Sequence, residues 1–304
     1  MCAVADFYTE RACCGFDECG YSKWRQATHD KSMELSSHAI QNFRRIVYAH
    51  YRVHGRSLPW RVRPTPYRVL VSEIMLQQTQ VDRVMPFYTS FLHAFPTIRL
   101  LARASRRDVL VAWQGLGYNR RGLYLWRCAQ IIVSQHKSTV PADPIILAQL
   151  PGIGPATAAS IAAFAYDAPT VFIETNIRSV FIHSFFPRAR RVSDSRLVPL
   201  IEQTLDRSCP ARWYNALMDY GTFLKKINKN PSRKSAHHVR QKPFAGSDRE
   251  LRGKILAFVV RVEKVSKKDL VENMPGARKT RILAIAQSLV DEGLFAEKRG
   301  HYVV

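Results

Sequence analysis

The chain has 304 residues, enough for two domains with cores of their own. Hydrophobic residues make up 46%, ordinary for a folded protein, but 46 Lys plus Arg stand against 24 Asp plus Glu, a formal charge of +22. So basic a balance on a foldable chain points to a polyanionic partner. No apolar run is long enough to span a bilayer, and no secretory signal is read at the N-terminus.

In chain order, residues 1–36 show no steady period and mix Cys, Gly and charge. They read as a disordered leader, with Met33, just before the first convincing helix at 40–50, as the biological start. Four of the six cysteines, Cys2, Cys13, Cys14 and Cys19, fall in this leader. The spacing of Cys13, Cys14 and Cys19 matches no zinc pattern, so no metal site is expected. With only Cys128 and Cys209 in the body, the chain suits a reducing cytoplasm better than a disulfide scaffold.

Residues 37–225 read as a dense series of helices. Thr65 caps one with Pro66 at its first position, and Asp143-Pro144 and Gly154-Pro155 start two more. Little alternates with period two, so the fold class is mainly α. Over 66–85, Leu70, Ile74, Val81 and Val84 form an apolar stripe at helical spacing. Glu73 lies at its border, beside Leu70 and Gln77. Apolar surroundings favour a neutral carboxyl, which is what a general acid near neutral pH requires.

The run Leu150-Pro151-Gly152-Ile153-Gly154-Pro155, then Thr157-Ala158-Ala159, then Phe172-Ile173-Glu174-Thr175-Asn176, says most about the chain. It reads as a helix, a Gly-rich hairpin, a second helix and an acidic residue just beyond. Gly152 and Gly154 let backbone approach a phosphate closely, and Pro155 presets the next helix. That helix's first-turn amides, near Thr157, suit an anion. A carboxylate delivered just downstream, at Glu174, points to chemistry on a nucleotide rather than binding alone.

Residues 226–247 hold Lys226, Lys229, Arg233, Lys234, His237, His238, Arg240 and Lys242 among Pro, Ser and Gly. They read as a basic linker, either a strap for phosphates or simply a solvated connection. Residues 248–304 form a second, smaller unit. Helices at 248–262, 267–273 and 278–292 precede two short segments, 295–298 and 301–304, flanking an Arg299-Gly300 hairpin. Ser266 caps the second helix and Gly293 ends the third. The order resembles a winged helix, with Arg278, Lys279 and Arg281 where a recognition helix meets DNA. Such modules also contact proteins.

Six motifs occur in a telling order: Leu58-Pro59-Trp60; Thr65-Pro66-Tyr67; Ser72-Glu73-Ile74-Met75-Leu76-Gln77-Gln78-Thr79-Gln80-Val81; Gly115-Leu116-Gly117-Tyr118; Leu150-Pro151-Gly152-Ile153-Gly154; and Met218-Asp219-Tyr220-Gly221. Over about 40–225 the chain resembles the adenine DNA glycosylases of the MutY type, in the helix-hairpin-helix, Gly/Pro-Asp superfamily. The resemblance implies a helix-hairpin-helix glycosylase fold in which Glu73 protonates the departing adenine at N7. Glu174 stands where the family has an Asp that stabilises the oxocarbenium-like sugar, and Asn176 matches the Asn beside it. Gln78 and Tyr118 match residues that wedge into the duplex by the extruded base, with Gln77 alongside. Gly152 and Gly154 match the glycines whose amides hold phosphate.

Departures from the family pattern carry expectations of their own. Ala156 occupies the position of the Lys that bifunctional relatives use to attack the sugar, so a monofunctional enzyme leaving an abasic site is expected. Asp caps helices better than Glu, so Thr175 rather than Glu174 is expected to cap the following helix. The family places four cysteines soon after the stretch matching Met218-Gly221; here none follows Cys209, so no iron–sulfur cofactor is expected. A winged-helix-like module stands where the family has a Nudix-like domain. The reading is a base-excision enzyme, monomeric and cytoplasmic, removing adenine mispaired with 8-oxoguanine or guanine in double-stranded DNA. Two alternatives are thymine or uracil opposite guanine as the target, and a non-catalytic DNA-binding protein on a glycosylase scaffold.

Overall fold

A computed structural model describes residues 34–238 and 243–304. The leader through residue 33, with its cysteines and the start assigned to Met33, lies outside the described residues, as do Arg240 and Lys242. The helices are α1 (Ser37–His54), α2 (Pro59–Val62), α3 (Pro66–Leu76), α4 (Val81–Ala94), α5 (Ile98–Arg103), α6 (Arg106–Trp113), α7 (Arg120–Gln135), α8 (Pro144–Leu147), α9 (Pro155–Tyr166), α10 (Thr175–Phe185), α11 (Asp194–Thr204) and α12 (Pro210–Ile227). A 3-10 turn (Pro231–Lys234) follows, then α13 (Asp248–Val262), β1 (Lys264–Ser266), α14 (Lys267–Glu272), α15 (Lys279–Asp291), β2 (Ala296–Lys298) and β3 (His301–Val303). Among the described residues no helix is long and apolar enough to cross a membrane.

The caps read from sequence are made. Thr65 accepts from the Arg68 amide with Pro66 in the first turn, Asp143 from Ile145, and Ser266 from Asp269. The stripe over 66–85 is divided, however. α3 stops at Leu76, and the chain resumes as α4 at Val81 after a turn in which Gln78 has φ 56°. No Gly or Pro marks that break.

The described chain forms two compact units, each assembled from two stretches. The first comprises residues up to Arg56 together with Asp167–His238. Phe43 centres its core, with ring centroids 5.3 Å from Phe181, 5.1 Å from Phe185 and 5.8 Å from Trp213. Asp219, 3% exposed, is paired to the Arg56 guanidinium at 2.6 Å and accepts the Arg56 amide at 2.8 Å. Gly221 is required on α12 because a Cβ there would stand 2.3 Å from the Asn176 carbonyl oxygen. The expected linker is partly folded in this unit. Lys226 belongs to α12, and Asn230 accepts from Ser232 to open the 3-10 turn. Val192 and Ser235 then bridge: the Val192 amide donates to Lys234 O and the Ala236 amide to Val192 O, both at 2.8 Å. Asn-Pro turn chemistry and buried Pro231 and Ser232 outweigh the basic composition.

The second unit comprises Ser57–Tyr166 and the chain from residue 239 to the end. α2 to α9 enclose Leu70, Ile74, Met75, Phe91 and Trp113, all essentially inaccessible. The C-terminal elements run α13-β1-α14-α15-β2-β3, with the strands in antiparallel order β1-β3-β2. This is winged-helix order, and β1 is the one element of this module that the sequence reading missed, at three residues too short to show alternation. Arg299 and Gly300, at φ 49° and 74°, make the two-residue hairpin expected between β2 and β3. The module shares one apolar core with Leu110 and Leu123 of α6 and α7, and Arg107 pairs with Glu263 at 3.0 Å.

Candidate active site

In the second unit, the hairpin hangs from buried Leu147, Leu150 and Ile153, leaving Gly152, Gly154, Pro155 and Ala156 exposed. Gly152 has φ 75°, and a Cβ there would lie 2.6 Å from Tyr124, so the position admits only glycine. The first intrahelical bond of α9 runs from Ala158 N to Gly154 O. The amides of Ala156 and Thr157 therefore precede the helical ladder at its positive end. Gln77 bridges to this hairpin, its Nε2 donating to Gly152 O at 3.1 Å and Thr157 Oγ1 at 3.3 Å.

α9 is apolar all round, burying Ala158, Ala159, Ile161, Ala162 and Ala163, and packs on α3. Its one buried polar residue is Ser160, 4% exposed. Ser160 Oγ lies 2.6 Å from Glu73 Oε2 and 2.9 Å from Thr157 O. One hydroxyl proton faces two acceptors. The shorter contact is the Ser160 hydroxyl donating to the Glu73 carboxyl, which fixes that carboxyl against the apolar face of α9.

In the first unit, Glu174 is itself the N-cap of α10, contrary to the expectation for Thr175. Its extended backbone (φ −132°, ψ 178°) lets the longer side chain fold back, so Oε1 accepts from the Asn176 and Ile177 amides at 2.7 and 2.9 Å. Oε2 accepts from Asn176 Nδ2 at 3.2 Å, while Asn176 Oδ1 accepts from Thr222 at 3.5 Å. A carboxylate bound by three N–H groups at a helix N-terminus is fixed in direction. Burial holds the Lys225 ammonium, one turn beyond Gly221 on α12, below the ordinary lysine range, and the Glu174 charge opposes that shift.

The wedge candidates share a backbone feature that sequence did not reveal: Gln78 (φ 56°) and Tyr118 (φ 48°) both adopt the left-handed region, and Tyr118 is 38% exposed. Arg278 and Lys279 at the start of α15 are exposed. Arg281 instead braces the module, pairing with Asp248 at 2.7 Å and donating to Gly246 O at 2.9 Å. Three further polar residues were missed: Ser160, Arg121 and Lys225. Ser160 sits in an alanine-rich helix and Lys225 in a Lys-Lys pair. Nothing in the sequence separates Arg121 from its neighbour Arg120.

Phosphate-ready hairpin amides, a braced carboxyl and a helix-capping carboxylate define a helix-hairpin-helix protein equipped to act on nucleic acid. Residues 71–204 match the model of the HhH-GPD superfamily base excision DNA repair protein. An adenine DNA glycosylase from Mycolicibacterium smegmatis is 35% identical over 229 residues, covering 69% of this chain and 76% of that protein. One from Mycobacterium tuberculosis is 42% identical over 142 residues, 46% of this chain and 47% of the relative. The fold is also that of a thermostable thymine-DNA glycosylase (TM-score 0.55, 20% identity, covering 64% of this chain and 91% of the other). The chain belongs to the adenine DNA glycosylase family of base-excision DNA repair proteins. It spans three quarters of the first relative's length and about half of the second's.

Proposed function

We propose that this chain is a monofunctional DNA N-glycosylase that removes adenine mispaired with 8-oxoguanine or guanine, acting as a monomer on double-stranded DNA. Breaking the N-glycosidic bond leaves positive charge on the sugar and negative charge on the base. Glu73 gives its proton to adenine N7, making the base a better leaving group. The Glu174 carboxylate offsets the charge on the sugar, with Asn176 fixing its direction. Water completes the substitution, because Ala156 offers no amine. The observation that carries this reading is the Glu73 carboxyl, held by the Ser160 hydroxyl against the apolar helix α9 that the phosphate-binding hairpin opens.

Binding follows the same logic. The hairpin amides hold phosphate. A base inside a duplex must be extruded at a cost of about a few kcal/mol, and Gln78 and Tyr118 fill the gap it leaves. Arg278 and Lys279 add a second DNA contact from the winged helix. The iron–sulfur cluster of the resembled family has no place in this reading. Its ligation needs thiolates, no Cys follows Cys209, and the segment beyond α12 is held instead by its bridge to Val192 and by Lys234 donating to Pro187 O at 2.7 Å.

Duplexes carrying adenine opposite 8-oxoguanine, adenine opposite guanine, and thymine or uracil opposite guanine test the assignment. Free adenine from the first two is expected, with no adduct trapped by borohydride. Release of only thymine or uracil changes the base assigned; a trapped adduct rejects the monofunctional mechanism; binding without release on every duplex rejects an enzyme. Ser160→Ala is expected to slow adenine release about tenfold, roughly the worth of one hydrogen bond, with DNA affinity unchanged in a parallel titration.

A further inference from the structure

Arg121 is a buried cation, 8% exposed, at the start of α7. Its Nη1 donates to the carbonyls of Ile74 (3.1 Å), Met75 (2.7 Å) and Gln77, the last groups of α3 and the residue beyond. Its Nη2 donates to Thr79 Oγ1 and to Gly117 O, both at 3.0 Å, and Nε to Tyr118 O at 3.4 Å. The guanidinium carbon stands 5.2 Å from the Tyr118 ring centroid and 5.7 Å from that of Trp113. One planar fork therefore answers the carbonyls freed where α3 ends and grips the 115–118 turn. The Arg83 guanidinium, donating to Gly115 O, ties the start of α4 to that same turn. Both turns hold a non-glycine residue at positive φ, a conformation that persists only where the surroundings enforce it.

We propose that Arg121 is a positioning residue that clamps the Gln78 and Tyr118 turns at a fixed spacing, so that the two side chains enter the duplex as a single preformed wedge. The proposal rests on the reading of Gln78 and Tyr118 as the wedge. A lysine would keep the charge but, as a point donor, could answer one turn and not both.

The test compares the full chain with Arg121→Lys, Gln78→Ala and Tyr118→Ala. It reads thermal melting, fluorescence of 2-aminopurine at the target position of a duplex, and single-turnover adenine release from a duplex and from an unpaired, bulged adenine. Arg121→Lys is expected to lose the fluorescence rise and about a hundredfold in rate on the duplex, the scale of an ångström-sized misplacement, and to stay within a few-fold of wild type on the bulge. A merely structural role would slow both substrates alike, and that result overturns the proposal. If Gln78→Ala and Tyr118→Ala keep the duplex rate, the wedge reading itself fails. If they lose it while a folded Arg121→Lys keeps it, only the role of Arg121 fails. Should Arg121→Lys not fold, Thr79→Val removes one acceptor from the Gln78 turn and leaves the guanidinium in place. The same selective loss on the duplex, smaller in size, is then expected, and an unchanged duplex rate overturns the proposal.

Discussion

Glu73→Gln is expected to lower single-turnover adenine release by about 10³-fold, within the usual range for removing a general acid. The substitution is isosteric, and the glutamine carbonyl oxygen can accept from Ser160 Oγ as the carboxyl does. α3 and α9 thus keep their contact, and neither melting temperature nor DNA affinity should change. Loss of rate with fold and binding intact isolates the proton as the missing element. A rate within tenfold of wild type would remove Glu73 from the mechanism.

Glu174→Gln separates charge from capping. The remaining carbonyl oxygen can still accept the Asn176 and Ile177 amides, so α10 keeps its cap, and the lost charge at the helix N-terminus costs about 0.3–1 kcal/mol of stability. That is far too small to unfold the unit. Adenine release is nevertheless expected to fall about 10²–10³-fold, because a preorganised charge facing the developing cation is gone. The new amide nitrogen would also face Asn176 Nδ2, donor against donor, where Oε2 now accepts at 3.2 Å. Chemical denaturation, a DNA titration and single-turnover kinetics on the same preparation check the three claims. Full activity in this variant would exclude a role for the carboxylate.

Much of the local structure could be read before any coordinates. Thr65-Pro66, Asp143-Pro144 and Ser266 announce their helices because capping is decided by the cap residue and the amides two or three positions on. Arg299-Gly300 and Gly293 announce a hairpin and a helix end for the same local reason. The division of the 66–85 stripe was not legible. Gln77, Gln78 and Thr79 have no turn propensity to speak of, and the break is held by Arg121, more than forty positions away. The cap on α10 was misassigned because the rule compares residue types on an average backbone, whereas the extended backbone at Glu174 gives a longer carboxylate the needed reach. The basic segment misled in another way, since charge reports solvation while Asn230-Pro231 and the Val192 bridge fix the path.

The sequence by itself determined the helix starts, the hairpin and the set of chemically able groups, since each depends on neighbours a few residues apart. It also determined the absence of a lysine at Ala156 and of thiols beyond Cys209, since composition needs no fold. Only the tertiary structure decided which hydroxyl meets Glu73, how Glu174 is oriented, and that one buried guanidinium serves two distant turns. Those pairings join residues far apart in the chain or depend on a backbone angle. A hydrogen bond forms only where packing brings donor and acceptor within about 3 Å.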